Sequence, residues 1–573
     1  MKSLLTLMLL IISFIGYANP LPVELFTKKA NFNSIKLSPD GKHFAATVSK
    51  ENTTALVVIN RATMKVVIAY GFGHNEHISN FYWLNEQRLV YNKSYQKGSQ
   101  EKKVSRGEIF AANIDGSKRI QLFGASASKS KIKSKRSLQA WGYLLSMLPD
   151  DKEHILVMAK AYGNDSDDPK KVYKVNTYNQ KRTLITRTPV GNIDLVLTSS
   201  GQPFMASGKD REGKKHKYFF VENSWEKLAK DHPLSSYSLL SVNKDASILY
   251  LKKSVNKGTN ALYQYQVDSK KITLLFHDPV VDIAGYIREP ASKAIVGVKT
   301  MFSGVKYHYL DEENAYSQIH SKLVAVFEDH DIRLYANTLA DNEIIVRVSS
   351  DVIPSDFYLY DRKKKNVAFI LSSKPWLDPN VMKPRQVIDF KARDGETIYG
   401  YMTLPANAEP PYSLIVDVHG GPFGVQDKWH YNNDAQFFAN QGYAVLQINF
   451  RGSGGYGLSY KKVAYNKRSS LIQHDIIDGT RWALALENID DNKVCIIGGS
   501  FGGYSALMAP LIEPDLYKCA IPRYGPYDLV YQMENADYMG VDSVSIGAME
   551  KYGDNEDTWR EQSPLTYIDQ LKT

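Results

Sequence analysis

The stretch Gly498-Gly499-Ser500-Phe501-Gly502-Gly503-Tyr504 constrains this chain more than any other. It follows the apolar run Val494-Cys495-Ile496-Ile497, which reads as a buried strand, and precedes Ser505-Ala506-Leu507-Met508-Ala509, which reads as the opening of a helix. A strand, a Gly-flanked turn with a central Ser, and a helix form the context in which G-x-S-x-G is a nucleophile elbow. The serine must ride the tip of a strained turn for its hydroxyl to project from the sheet edge. Side chains at positions 498 and 502 would run into the neighbouring strand and helix, so the pattern demands glycine at both. A Gly-rich turn that carries a serine by chance would not explain the two flanks together.

This turn resembles the active-site turn of the prolyl oligopeptidase family of serine peptidases, nearest to its acylaminoacyl-peptidase branch. Three upstream stretches agree in order and spacing. Phe390-Lys391-Ala392-Arg393-Asp394-Gly395 resembles the start of the family's hydrolase domain, His419-Gly420-Gly421-Pro422 its oxyanion loop, and Asn449 to Gly457 its Arg-Gly-Ser loop. Downstream, Asp537-Tyr538-Met539-Gly540 and Ser563-Pro564-Leu565 also fit, and the resemblance covers about residues 388–573. It implies a serine peptidase that hydrolyses short peptides through an acyl-enzyme on Ser500, behind a propeller that restricts access.

A chain of 573 residues is too long for one core, so at least two domains are expected. Its 37 tyrosines suit a β-rich protein. From about Asn31 to Lys383 short strands alternate with turn signals and there is almost no helical period. Leu37-Ser38-Pro39-Asp40-Gly41-Lys42 before Phe44-Ala45-Ala46-Thr47-Val48 sets a cadence that returns in degraded form near Trp83, Pro149, Asn243 and Ala340. A spacing of ~40–50 residues suggests propeller blades, seven or eight by length and seven by the resemblance. Leu25 and Phe26 are expected to pack the short lead-in Leu21 to Ala30 against something, which the resemblance implies is the hydrolase domain, and Lys374 to Lys383, with its prolines, reads as a linker. From Val387 strands and helices alternate: strands at Thr397–Leu404, Leu414–Val418, Ala444–Ile448, Val494–Ile497 and Cys519–Pro522, and helices at Asp434–Asn440 and Ser470–Glu487. That alternation implies a mostly parallel sheet covered on both faces. The expected division is a signal peptide at 1–18, a β-propeller domain at 19–383 and an α/β-hydrolase domain at 384–573.

The signal peptide rests on Lys2, the apolar run Leu4 to Ile15, and Gly16-Tyr17-Ala18, with cleavage expected after Ala18 and export of a product that has no stable membrane anchor. The formal net charge is +10, part of it in Lys129, Lys131, Lys133, Lys135 and Arg136. No aromatic residues interleave with that run, so it reads as a solvated loop and not as a nucleic-acid site. No Cys/His cluster has metal-ligand spacing, and no metal or cofactor is expected. Cys495 and Cys519 lie in neighbouring strands, where buried small hydrophobes are expected in preference to a disulfide.

Ser500 is the candidate nucleophile. The oxyanion that forms on attack needs donors, expected from the backbone N–H of Phe501 and from Gly421 with Gly420 beside it. Tyr456 is a further candidate by resemblance, or else a core aromatic that holds its loop. The resemblance makes Tyr527, Tyr531 and Tyr538, with the Phe501 ring, candidates for the substrate pocket, and as aromatics at irregular spacing they read equally as core. His419 is expected to shape the oxyanion loop, and His474 and Asp475 read as surface or core-edge groups. In this fold the triad order is Ser, then Asp or Glu, then His. The last of the thirteen histidines is His474, so none follows Ser500, and Asp554, Asp557 and Asp569 do not match the motif position. The hydrolase domain is therefore expected to be incomplete, the chain a fragment or a truncated product, and its activity low. The alternatives are a non-catalytic propeller that binds a partner beside a degenerate hydrolase domain, and an esterase on the same fold.

Overall fold

The computed structural model describes residues 20–98, 103–124, 138–163, 165, 167–335, 342–405, 407–535 and 542–572. The expected signal peptide, the basic run and Tyr538 lie outside the described residues. The first helix, α1 (Val23–Thr27), precedes a long run of antiparallel strands. Alternation sets their faces: Thr53–Asn60 buries Thr54, Leu56 and Val58 and turns the residues between them outward. Hairpin corners use residues that accept positive φ, such as Asn223 at 65° and Gln180 at 65°.

These strands form a propeller. Five sheets stand separately, at Ala140–Arg187, Asn192–Lys227, Ser238–Phe276, Gly285–Tyr309 and Asp331–Ser372, the fourth with three strands and the others with four. The first eight strands, from Phe32 to Phe123, form one further sheet. The expectation of seven blades is therefore not met as seven separate sheets. Two antiparallel meanders in the first segment are fused through one parallel pair, Thr54 with His77. Apolar clusters join each sheet to the next, and the ring closes where Ile35, Phe44 and Ala46 pack with Ile345 and Phe357 of the last sheet. Arg61 adds an ion pair to Glu343 across the same seam. The segment also contains a helix the sequence reading lacked, α2 (Ala315–Val326). Asn314 caps it by accepting from the N–H groups of Tyr316 and Ser317.

The second unit is a six-stranded sheet of β1 (Arg385–Lys391), β2 (Thr397–Thr403), β3 (Tyr412–Val418), β4 (Ala444–Asn449), β5 (Ile489–Gly499) and β6 (Cys519–Arg523), in the order β1-β2-β4-β3-β5-β6. Pairings among β4, β3, β5 and β6 are parallel, and β1 and β2 run antiparallel to their neighbours. Helices α3 (Asn433–Asn440), α5 (Leu471–Leu484) and α6 (Phe501–Ile512) pack on it, and the unit also contains α4 (Gly457–Lys462), α7 (Leu529–Asn535) and α8 (Asp542–Tyr552). The core joins Val416, Leu446 and Ile496 of the sheet to Ile472 and Ile476 of α5 and to Tyr504 and Ala506 of α6.

One expectation fails here. Cys495 and Cys519 face each other in register on β5 and β6 with Cα atoms 4.7 Å apart, and they form a disulfide. Adjacent parallel strands place this directly paired couple within the Cα range a disulfide spans. Cys519 is exposed on the last strand of the sheet, so the pair does not behave as two buried hydrophobes.

The two units are locked together. Phe26 of α1 is 2% exposed and meets Phe437 of α3 edge-on at 5.7 Å. The stretch expected to be a linker packs too: Lys374 donates to the Phe26 carbonyl at 3.1 Å and to Asn433 at 2.7 Å, and Leu377 and Met382 share the Phe26 cluster. On the other side, Leu458 and Ser459 of α4 donate main-chain hydrogen bonds to Gly258 and Lys257 of the propeller at 3.0 and 2.7 Å.

Candidate active site

Ser500 sits between β5 and α6 with φ 56° and ψ −120°, in the left-handed half of backbone space, and its side chain is exposed. Non-glycine residues rarely hold such a conformation unless their surroundings impose it. Here the Ser500 N–H donates to the Arg523 carbonyl at 3.1 Å, and the Ser500 carbonyl accepts from Tyr504 N–H at 3.0 Å. The flanking glycines are required by space. A Cβ on Gly498 would lie 2.5 Å from the Gly502 backbone, and one on Gly502 would lie 1.9 Å from the Val418 carbonyl oxygen.

Phe501 opens α6, so its N–H has no intrahelical acceptor and is free to serve an oxyanion. Its ring is buried against Phe450 at 5.6 Å and Tyr504 at 5.3 Å, which makes it core and not pocket wall. The loop after β3 lies against the nucleophile: a Cβ on Gly420 would stand 3.9 Å from Ser500 Oγ. Gly421 has φ 139°, which favours glycine, and precedes a cis bond to Pro422. His419 Nδ1 donates to the Gly420 carbonyl at 2.8 Å, so in the neutral ring Nε2 accepts from the Ser453 hydroxyl at 3.1 Å. The imidazole also stacks on Phe450 at 4.5 Å. Both ring nitrogens are thus spent on holding the loop.

The Arg-Gly-Ser loop is tied down by charge. Arg451 donates to Asp475 from Nη2 at 2.5 Å and from its main-chain N–H at 2.8 Å, and to Asp394 from Nη1 at 2.5 Å. Asp475 is fully buried, contrary to the surface or core-edge reading, because α5 turns it inward to meet this guanidinium. Burial pushes its carboxyl up and Arg451 opposes that shift. Tyr456 is buried in the same loop. Its hydroxyl accepts from Asn449 Nδ2 at 2.9 Å and its ring stacks on Tyr399 at 4.8 Å. Burial drives its phenol well above the usual range.

Tyr531 projects from α7 and is 66% exposed, while Tyr527 is half-buried with its carbonyl accepting from Leu565 N–H at 3.2 Å. The sequence reading missed Tyr524. It follows β6 directly, has φ 41°, and is 77% exposed. Its ring lies against the elbow, because a Cβ on Gly499 would be 2.8 Å from the Tyr524 hydroxyl oxygen. The only local signal is an aromatic immediately after a strand that ends beside the elbow.

Beneath the oxyanion loop, Asp417 on β3 accepts from Gln447 Nε2 at 2.7 Å. Burial, and then the nearby Asp427 and Asp434, raise its pKa to about 7. Among the described residues no histidine or carboxylate hydrogen-bonds the Ser500 hydroxyl, and no group of His, Cys, Asp and Glu is arranged to hold a metal ion. Among the described residues the arrangement offers an exposed serine hydroxyl with main-chain N–H groups beside it, a geometry that can place an attacking oxygen next to oxyanion donors.

Residues 429–573 match the family model described as prolyl oligopeptidase family. Dipeptidyl aminopeptidase BIII of Pseudoxanthomonas mexicana is 28% identical over 424 residues, a match that covers 70% of this chain and 60% of that protein. Dipeptidyl peptidase family member 6 of Caenorhabditis elegans is 22% identical over 540 residues, with 89% and 71% covered. Among solved structures, a puromycin hydrolase superimposes with a TM-score of 0.68 at 16% identity, over 98% of this chain and 88% of that one. The acylaminoacyl peptidase of Pyrococcus horikoshii gives 0.62 at 16% identity, over 97% and 86%. These two share the fold.

Proposed function

We propose, on the match of residues 429–573 to the prolyl oligopeptidase family, that this chain belongs to a serine peptidase that cleaves short peptides through an acyl-enzyme on Ser500. The observation that carries this reading is the elbow itself: an exposed Ser500 held at positive φ, with the Gly420 backbone packed against its side chain. In this reading Ser500 Oγ attacks the scissile carbonyl and loses its proton to a base. The developing oxyanion is held by the N–H groups of Phe501 and Gly421, where loss of one donor costs ~2.7–4 kcal/mol of transition-state stabilisation. The propeller, locked to the hydrolase domain on both sides, restricts substrates to short chains.

The residues of this chain supply the nucleophile and the donors. Without a base a serine hydroxyl is a poor nucleophile, and binding with an oxyanion hole leaves only ~10³–10⁴-fold over water. The 573-residue chain is therefore expected to turn over peptide anilides slowly, with Ser500→Ala changing little. A chain extended by the hydrolase segment that carries an Asp and a His should show Ser500-dependent turnover. The test is a peptide-anilide and p-nitrophenyl ester assay on both forms, each with Ser500→Ala. Ser500-independent cleavage by the extended form would overturn the assignment, ester-only turnover would favour the esterase reading, and no turnover with tight peptide binding would favour the non-catalytic one.

We further propose that the protein is exported after cleavage behind Ala18. The n-region and h-region support this, and so does the Cys495–Cys519 disulfide, since such bonds persist in oxidising compartments. N-terminal sequencing of the exported form should read from Asn19.

A further inference from the structure

A cavity of about 880 Å³ opens between the propeller sheet Asn192–Lys227 and α8. That is within the range of ligand pockets, ~300–1,000 Å³. Seven lysines line it, among them Lys209, Lys215, Lys217 and Lys230 from the propeller and Lys551 from α8, against one lining carboxylate, Asp194. Carboxylates offset this charge only in part: Asp210 pairs with His216 at 2.6 Å, and Glu550, which lies in the field of Lys209 and Lys551, pairs with Lys462 at 3.1 Å. Among the described residues none of the seven lysines pairs with a carboxylate. Like charges gathered in a concave site raise the local potential and favour an anionic occupant.

The basic character continues toward the elbow. Burial pushes the ammonium of Lys461 on α4 down, and Lys462, Lys551 and Lys215 add to the shift while Asp282 opposes it. Its Cδ would be 3.7 Å from a Cβ on Gly424, in the loop that begins with His419. Tyr552, the last residue of α8, sets its ring 5.8 Å from that of Phe423 in the same loop. Helix α8 thus reaches both places, with Lys551 in the cavity lining and Tyr552 beside Phe423 of the loop after β3.

We propose that this cavity is a subsite for acidic segments of a peptide, so that the protein takes acidic peptides in preference to neutral ones. The proposal rests on the peptidase reading for its link to substrate. The chemistry favours a peptide over a nucleic acid. Apart from His216, the described lining residues include no aromatic ring on which a base would stack. Four serines in the lining, Ser207, Ser235, Ser236 and Ser238, supply hydroxyls for a peptide backbone between the lysines.

The test measures binding apart from turnover, on the 573-residue chain with Ser500→Ala. Fluorescence anisotropy compares a labelled hexapeptide rich in glutamate with its glutamine counterpart. The acidic peptide should bind about tenfold more tightly at low ionic strength, and the gap should close as salt is added. Lys209→Gln with Lys551→Gln should remove most of the gap while thermal unfolding stays in place. Equal binding of the two peptides by the unsubstituted site would overturn the proposal without recourse to any variant. So would an unchanged gap in the double variant, or inorganic tripolyphosphate competing far better than excess acidic peptide. Acidic-peptide binding that persists when the extended chain shows no Ser500-dependent turnover would keep the subsite and remove the peptidase reading.

Discussion

The main-chain N–H of Ser500 donates to the carbonyl oxygen of Arg523 at 3.1 Å. The bond ties Ser500 to the end of β6, the neighbouring parallel strand, so the elbow's strain is borne by sheet pairing and by the glycine contacts around it.

The elbow has no room for a methyl group. Gly502→Ala should destabilise the hydrolase domain by roughly 3 kcal/mol, because its Cβ would meet the Val418 carbonyl oxygen at 1.9 Å and both pieces are backbone. Urea unfolding followed by tryptophan fluorescence measures this, and Gly71→Ala, which meets nothing within 4 Å and like Gly502 is not at positive φ, is the control for an added methyl without a clash.

Asp417 should make stability fall as the pH rises. Its folded pKa of about 7 lies above the ordinary 3.8, so the native state binds the proton more tightly than the unfolded chain. The contribution is fully present below about pH 4 and is lost as pH rises through about 7. Asp417→Asn keeps an acceptor for Gln447 and removes the titration. The variant should gain stability over the parent at pH 8 and match it at pH 4, as read from urea midpoints at the two values.

The disulfide closes a loop of 24 residues around the elbow helix. Loop-closure entropy puts its worth at ~3 kcal/mol. Cys495→Ala with Cys519→Ala should lower stability by about that amount, and thiol titration of the unfolded parent in the absence of reductant should find no free thiol.

The lead-in holds the two units together. Phe26→Ala removes a side chain that is 2% exposed and packed on Phe437, Leu377 and Met382. The expected cost is ~3–5 kcal/mol. Limited proteolysis should then cut between residues 374 and 383, a stretch the parent protects by packing it on α1 and α3.

Much of this architecture was legible in the chain because it is written in short-range patterns. A period of two marks the strands, a glycine before and after Ser500 marks the elbow, and the switch from strands to alternating strands and helices near Val387 marks the second unit. Those signals need only neighbours within a few residues. The α2 helix was legible in principle, through Asn314 at its cap and Tyr316, Ile319, Leu323 and Val326 at helical spacing, a signal passed over among the strands around it.

What the sequence by itself determined is therefore local: the elbow, the glycines of the oxyanion loop, the strand cadence, and the absence of any histidine after Ser500. Only the tertiary structure decided the rest. Register brought Cys495 opposite Cys519, one parallel pair at Thr54 and His77 fused two meanders into one sheet, and the turn of α5 buried Asp475 against Arg451. The lysine cavity joins residue 209 to residue 551, and Tyr524 reaches the elbow from the next strand. Each of these depends on which residues meet across more than twenty positions of chain. Strand pairing and packing set such meetings, and no spacing within a single segment records them.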